Sequence, residues 1–244
     1  MPSAIRRGLI LDFYNPYLAV ALYPLLAYLV GDPAAFKWGS DHGAEPMPEV
    51  ADLRTQRNGR LFWILRYAAL STYLLYGLRG IAIQKGAPIQ SAIVGIFTGV
   101  ALFQVRLLAI KVWPDLGFAN AAHPALTGPI GVWAAIIATG GFSEELWRAF
   151  CLVSLRRDGS NMEAAVLGTS LVFALSELAG RPSRISAQRE EVVLTGLVGV
   201  CLAELFLTFH SLTMIISANI AYNALSLYRL RRDEGLAVRK LRTP

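Results

Sequence analysis

The sequence predicts an all-α fold, a polytopic integral membrane bundle of about eight transmembrane helices, forming a single membrane domain over residues 1–244. Three observations lead there. Of the 244 residues, 55% are hydrophobic and only 16% are charged, whereas soluble domains carry about 25% charged residues. Mean hydropathy is +0.46. Six to eight apolar runs are long enough, or nearly so, to cross the roughly 30 Å of bilayer hydrocarbon as helix. Eight such helices use about 160 residues, which leaves room for connections but not for a separate soluble catalytic domain.

The first span is read from Pro16 to Val30 and stops at Gly31-Asp32-Pro33. Arg6 and Arg7 precede an apolar run in the manner of a signal peptide, but Asp12, Asn15 and Pro16 interrupt it, so the helix reads as retained. A polar segment to about Arg60 follows, a surface loop with an interfacial helix. The second span runs from Leu61 to Ile83 and the third from Pro88 to Trp113. After a loop with Pro114, His123 and Pro124, a short fourth span covers Gly128 to Thr139. Gly140-Gly141 is expected to break it, and a fifth helix runs from Ser143 to Leu155, closed by Arg156-Arg157. The fourth and fifth can also be read as one kinked element. Met162–Ala179, Val192–Phe209 and Leu212–Leu230 complete the set. Residues 1–127 thus hold the N-terminal helices and loop, 128–230 a core with the polar motifs, and 231–244 a basic tail.

Cys151 and Cys201 both lie in apolar runs and read as small core residues, not as a disulfide framework. The net charge of +6 comes mainly from arginines at helix ends and between Arg229 and Arg242. Their placement predicts anchoring beside anionic membrane lipid and no nucleic-acid partner. An even number of spans puts both termini on one side, and the arginine-rich tail makes that side cytoplasmic in a bacterial inner or cell membrane. Arg54, Arg57 and Arg60 pull the other way.

An ionisable residue within a span costs about 2.5–3.5 kcal/mol on insertion scales, so each needs a reason. The fifth helix opens Gly140-Gly141-Phe142-Ser143-Glu144-Glu145-Leu146-Trp147-Arg148, the sixth contains Phe173-Ala174-Leu175-Ser176-Glu177, and the eighth contains Asn219-Ile220-Ala221-Tyr222-Asn223. Glu144 and Arg148 stand four apart, as do Asn219 and Asn223, so each pair shares a helix face. If the faces converge, they build one polar pocket within an apolar bundle. Plainer readings exist for each. Ser143-Glu144-Glu145 fits a capped helix start, Arg148 a partner for Glu144, and the two asparagines interhelical hydrogen bonding. A lone carboxylate at Glu177 must be protonated, paired or metal-bound. Glu204, Arg66, Gln104 and Arg106 read as structural pairs, and His210 as an interfacial residue at the last turn.

The order of these residues resembles the CPBP intramembrane metalloproteases, the CAAX-prenyl-protease and bacteriocin-processing (Abi) family. The likeness covers Gly128 to Leu230 and includes Gly196, Gly199 and Ser211-Leu212. It implies an eight-helix bundle around a divalent metal, zinc in the family, in which a glutamate activates water for attack on a peptide bond and an asparagine holds the oxyanion. Carried over by position, Glu144 is the general base, and Arg148 and Asn223 are the other catalytic residues. Glu145, Glu177 and Asn219 are metal ligands. The Arg148 spacing is one residue shorter than the family's. Glu177 and Asn219 stand where the family has its two histidines, so both are replaced. An all-oxygen set suits magnesium, manganese or calcium better than zinc and weakens zinc-type water activation.

Two functions of different class follow. One is a metal-dependent intramembrane endopeptidase acting on a peptide substrate. The other is a catalytically inactive member, a scaffold or subunit whose pocket binds a lipid, isoprenoid, pigment or partner membrane protein. A transporter ranks third, since no second related half is visible. No Gly-x-Ser-Gly, Gly-x-Gly-Asp or His-Glu-x-x-His is present for the serine, aspartyl or site-2 types of intramembrane protease.

Overall fold

The computed structural model describes residues 85–112, 130–179 and 189–242, with scattered positions between 68 and 78. The first span, the loop carrying Arg54, Arg57 and Arg60, most of the second span and the His123 loop lie outside the described residues. The described elements are α1 (Pro88–Val112), α2 (Ile130–Arg157), α3 (Met162–Ala179), α4 (Arg189–Phe209) and α5 (Leu212–Arg242). The all-α expectation holds among them.

The helix ends follow from local chemistry. After α2, Gly159 takes a φ of 77°, a backbone region that glycine enters without a Cβ penalty. Ser160 N–H then donates to the Leu155 carbonyl at 3.0 Å and Gly159 N–H to that of Arg156 at 3.3 Å, the paired closure of a Schellman end. Asn161 caps α3, its Oδ1 accepting from the backbone N–H of Glu163 (2.9 Å) and Ala164 (3.1 Å). The α4–α5 turn is tighter. His210 adopts a φ of 49° and its N–H donates to Phe206 O at 2.7 Å, while Ser211 Oγ accepts from Met214 N–H at 3.3 Å and caps α5.

Two expectations need correction. Gly140-Gly141 does not break the chain: α2 runs unbroken across both. Gly141 instead lets α5 come close, since a Cβ there would lie 3.1 Å from Ile220 Cγ1 and 3.2 Å from Asn219 Oδ1. Ser143 is accordingly a mid-helix residue and not a cap, its hydroxyl donating to the Gly140 carbonyl at 3.0 Å. The last helix also runs past its expected end at Leu230, continuing as α5 through the basic tail to Arg242. At 1.5 Å per residue those 31 residues extend about 46 Å, longer than the roughly 30 Å of bilayer hydrocarbon.

The described chain forms two compact units, with α2 passing from one to the other between Glu145 and Leu146. In the unit containing Leu146–Glu204, the Trp147 and Phe173 rings lie 6.5 Å apart, and Gly196 and Gly199 of α4 face Ala174 and Ser170 of α3. In the unit containing Ala82–Glu145 and the chain from Leu205, α1 packs along α5. Ser91, Gly95, Gly99 and Phe103 are buried at four-residue intervals along α1. Gly95 meets Met214 and Ser217, and Gly99 meets Ala218 and Ala221, the small-residue packing of helices in lipid.

Two helical stretches, Pro88–Val112 and Val192–Phe209, are long and apolar enough to cross a membrane. Large apolar side chains lie exposed on both, among them Ile89, Phe97 and Leu108 of α1 and Val193 and Leu197 of α4. Small residues inside and large apolar ones outside invert the pattern of a soluble helix.

Candidate functional site

The paired glutamates fall in the most deeply packed stretch of α2. Glu145 is fully buried and Glu144 partly so. A buried carboxylate is expensive unless hydrogen-bond donors meet it, and α5 supplies one. Asn219 Nδ2 donates to Glu145 Oε1 at 2.6 Å and to Glu144 Oε2 at 3.1 Å. One helical turn on, Asn223 Nδ2 donates to Asn219 Oδ1 at 2.5 Å. Four of the six expected site residues therefore form one connected network. The two glutamates are adjacent on α2, and a single amide nitrogen joins their carboxyl groups.

That orientation bears on the divalent metal implied by the resemblance. The amide turns its NH2 toward the glutamates and its oxygen toward Asn223. An amide nitrogen in this role has no lone pair for a metal, and it occupies the point where the two carboxyl groups converge. Among the described residues, no group of three His, Cys, Asp or Glu side chains is placed to hold a metal ion. A zinc site needs about three ligands of imidazole, thiolate or carboxylate type, and among the described side chains of the expected site Glu144 and Glu145 are of that type.

Glu177 lies on α3, but its side chain is outside the described residues. Arg148, fully buried in the unit containing Leu146–Glu204, donates from Nη1 to the Gly199 carbonyl at 3.2 Å. Its guanidinium stands over the Phe173 ring, 5.0 Å from the centroid. The close approach depends on Gly199, where a Cβ would come 3.3 Å from Arg148 Nη1 and 3.2 Å from Ser170 Cβ. Gly199 and Phe173 were legible as family-like positions; their contacts to Arg148 were not.

Sequence reasoning gave Tyr222 no role. It is buried between the two asparagines on α5, and its hydroxyl accepts from Arg106 Nη1 of α1 at 2.9 Å. The guanidinium also lies 5.9 Å from the Tyr222 ring centroid. The signal was present in Arg106 itself, because an arginine within an apolar span requires a partner.

Residues 126–225 match the family model described as Type II CAAX prenyl endopeptidase Rce1-like. The match covers α2 to α4 and most of the apolar part of α5, and so includes every candidate site residue. Among curated proteins and among solved structures, nothing matches the chain.

Proposed function

Since residues 126–225 match the family model described as Type II CAAX prenyl endopeptidase Rce1-like, we propose that the chain is a non-hydrolytic member of that family. In this reading an eight-helix membrane bundle keeps the family's polar pocket and uses it to bind a membrane-embedded ligand without metal-activated water. One observation carries it: Asn219 Nδ2 donates to both Glu144 and Glu145. The amide gives each of the two carboxyl groups a donor in place of a cation, which supports a pocket held together by hydrogen bonds.

The family match and the retained Glu144-Glu145 pair favour a second reading, a metal-dependent endopeptidase. There Glu144 would be the base, Arg148 and Asn223 would assist, and Glu145, Glu177 and Asn219 would hold an oxygen-preferring metal.

Elemental analysis of the purified protein separates the two. The expected result is metal at background in the wild type and in the Glu144→Gln and Glu177→Gln variants. A variant carrying both Glu177→His and Asn219→His is expected to gain zinc, because it removes the bridging amide and supplies two imidazoles. Near-stoichiometric metal in the wild type, lost on Glu177→Gln, would overturn the non-hydrolytic reading and establish the second.

A further inference from the structure

Where α1 begins and α4 turns into α5, a cavity of about 320 Å3 opens at the surface. Its lining is of two kinds. Lys85, Gln90, Ser91 and Ser211 contribute a cation, an amide and two hydroxyls, and Val94, Phe209 and Met214 form apolar walls. The backbone sets the level of the site, for Lys85 N–H donates to the His210 carbonyl at 2.8 Å. The start of α1 and the end of α4 therefore lie side by side. Each terminates a stretch able to cross a membrane, so the two ends mark one membrane surface. This step rests on the membrane-spanning reading of α1 and α4.

Lys85 then stands at headgroup depth, where an ammonium meets lipid phosphate. Val94 lies six residues beyond the start of α1, about 9 Å further along its axis and within the hydrocarbon. Val94 and Phe209 are 46% and 52% exposed, an apolar surface where acyl chains run. A cation at the surface above an apolar groove suits an amphiphile with an anionic head. We propose that this cavity binds one anionic phospholipid, its phosphate at Lys85 beside Gln90 and Ser211, and its first methylenes against Val94 and Phe209. A cavity of this size takes a headgroup and its glycerol; the chains continue into the bilayer. The site is separate from the glutamate–asparagine network and needs neither its metal nor its chemistry.

The test uses the full chain in nanodiscs of phosphatidylcholine, alone or mixed with phosphatidylglycerol, with native mass spectrometry for retained lipid and thermal melting for stability. The wild type is expected to retain one phosphatidylglycerol per chain in preference to phosphatidylcholine. Lys85→Gln is expected to lose that preference, and Val94→Trp, which fills the groove, to lose it while melting as the wild type does in pure phosphatidylcholine. Should Val94→Trp not fold, Lys85→Gln decides, since that substitution keeps the backbone N–H that donates to His210. Undiminished phosphatidylglycerol retention by Lys85→Gln would overturn the site and assign the preference to the basic end of α5, which that variant leaves intact. Inorganic phosphate raising the melting temperature in pure phosphatidylcholine as far as phosphatidylglycerol does would overturn the lipid as ligand. Failure to insert into phosphatidylcholine discs would overturn the spanning reading itself; insertion without preference would overturn the headgroup site alone.

Discussion

Asn219 and Asn223 have the same side chain, one turn apart on one helix, yet their partners make them unequal. Asn219 donates to two carboxyl groups, and Asn223 donates to a neutral amide oxygen. A hydrogen bond to a charged group contributes about 1.5–3 kcal/mol, against about 1 kcal/mol for a neutral pair. Asn219→Leu, which leaves both acceptors without that donor, should therefore lower stability by on the order of 3 kcal/mol, and Asn223→Leu by about 1 kcal/mol. Denaturant titration in detergent micelles measures both. Equal losses would mean that Asn219 is not the hub of the network. The residue types and spacings of this cluster were legible in the sequence, because a polar residue inside an apolar span stands out. Its wiring was not. Whether Asn219 faces the glutamates with nitrogen or oxygen depends on what α5 brings to α2 in space, and no linear spacing encodes that.

At the scale of the helix, the sequence located ends well where local chemistry decides them. Met162–Ala179 and the Phe209 and Leu212 boundaries follow from an Asn cap, a serine cap and the end of an apolar run. It misjudged Gly140-Gly141 because a glycine pair weakens a helix and also permits close contact, and only the neighbouring helix tells which role applies. The same ambiguity yields a contrast across the described glycines. At Gly99 of α1, a Cβ would meet the Ala218 carbonyl oxygen and lie 2.8 Å from Ala221 Cβ. At Gly168 of α3, a Cβ would meet nothing within 4 Å. Gly99→Ala should therefore destabilise by about 1–3 kcal/mol through overpacking, displacing the helix that carries Asn219. Gly168→Ala should stabilise by about 0.5–1 kcal/mol, from the lower backbone entropy of the unfolded chain. Thermal melts of the two variants should shift in opposite directions. Parallel shifts would show that α1 and α5 are not held at glycine distance.

For the molecule as a whole, charge carries the information that hydropathy does not. Apolar runs mark where a chain can cross a bilayer, but a run reads the same in either direction. Orientation rests on the lysines and arginines flanking the spans. The C-terminal end holds the densest group of them, and α5 continues as helix through these residues to Arg242. Each basic residue near an anionic leaflet contributes about 1 kcal/mol, so an orientation set by the C-terminal group has to outweigh the arginines at 54, 57 and 60. The proposed eight crossings would put the N-terminus on the side of the C-terminus. Epitopes placed at both ends should therefore be digested together by protease added to inside-out vesicles and protected together in right-side-out ones. Digestion of one end only, in either preparation, would require an odd number of crossings. Joint protection in inside-out vesicles would keep the even count and reverse the orientation, leaving the arginines at 54, 57 and 60 as the stronger determinant.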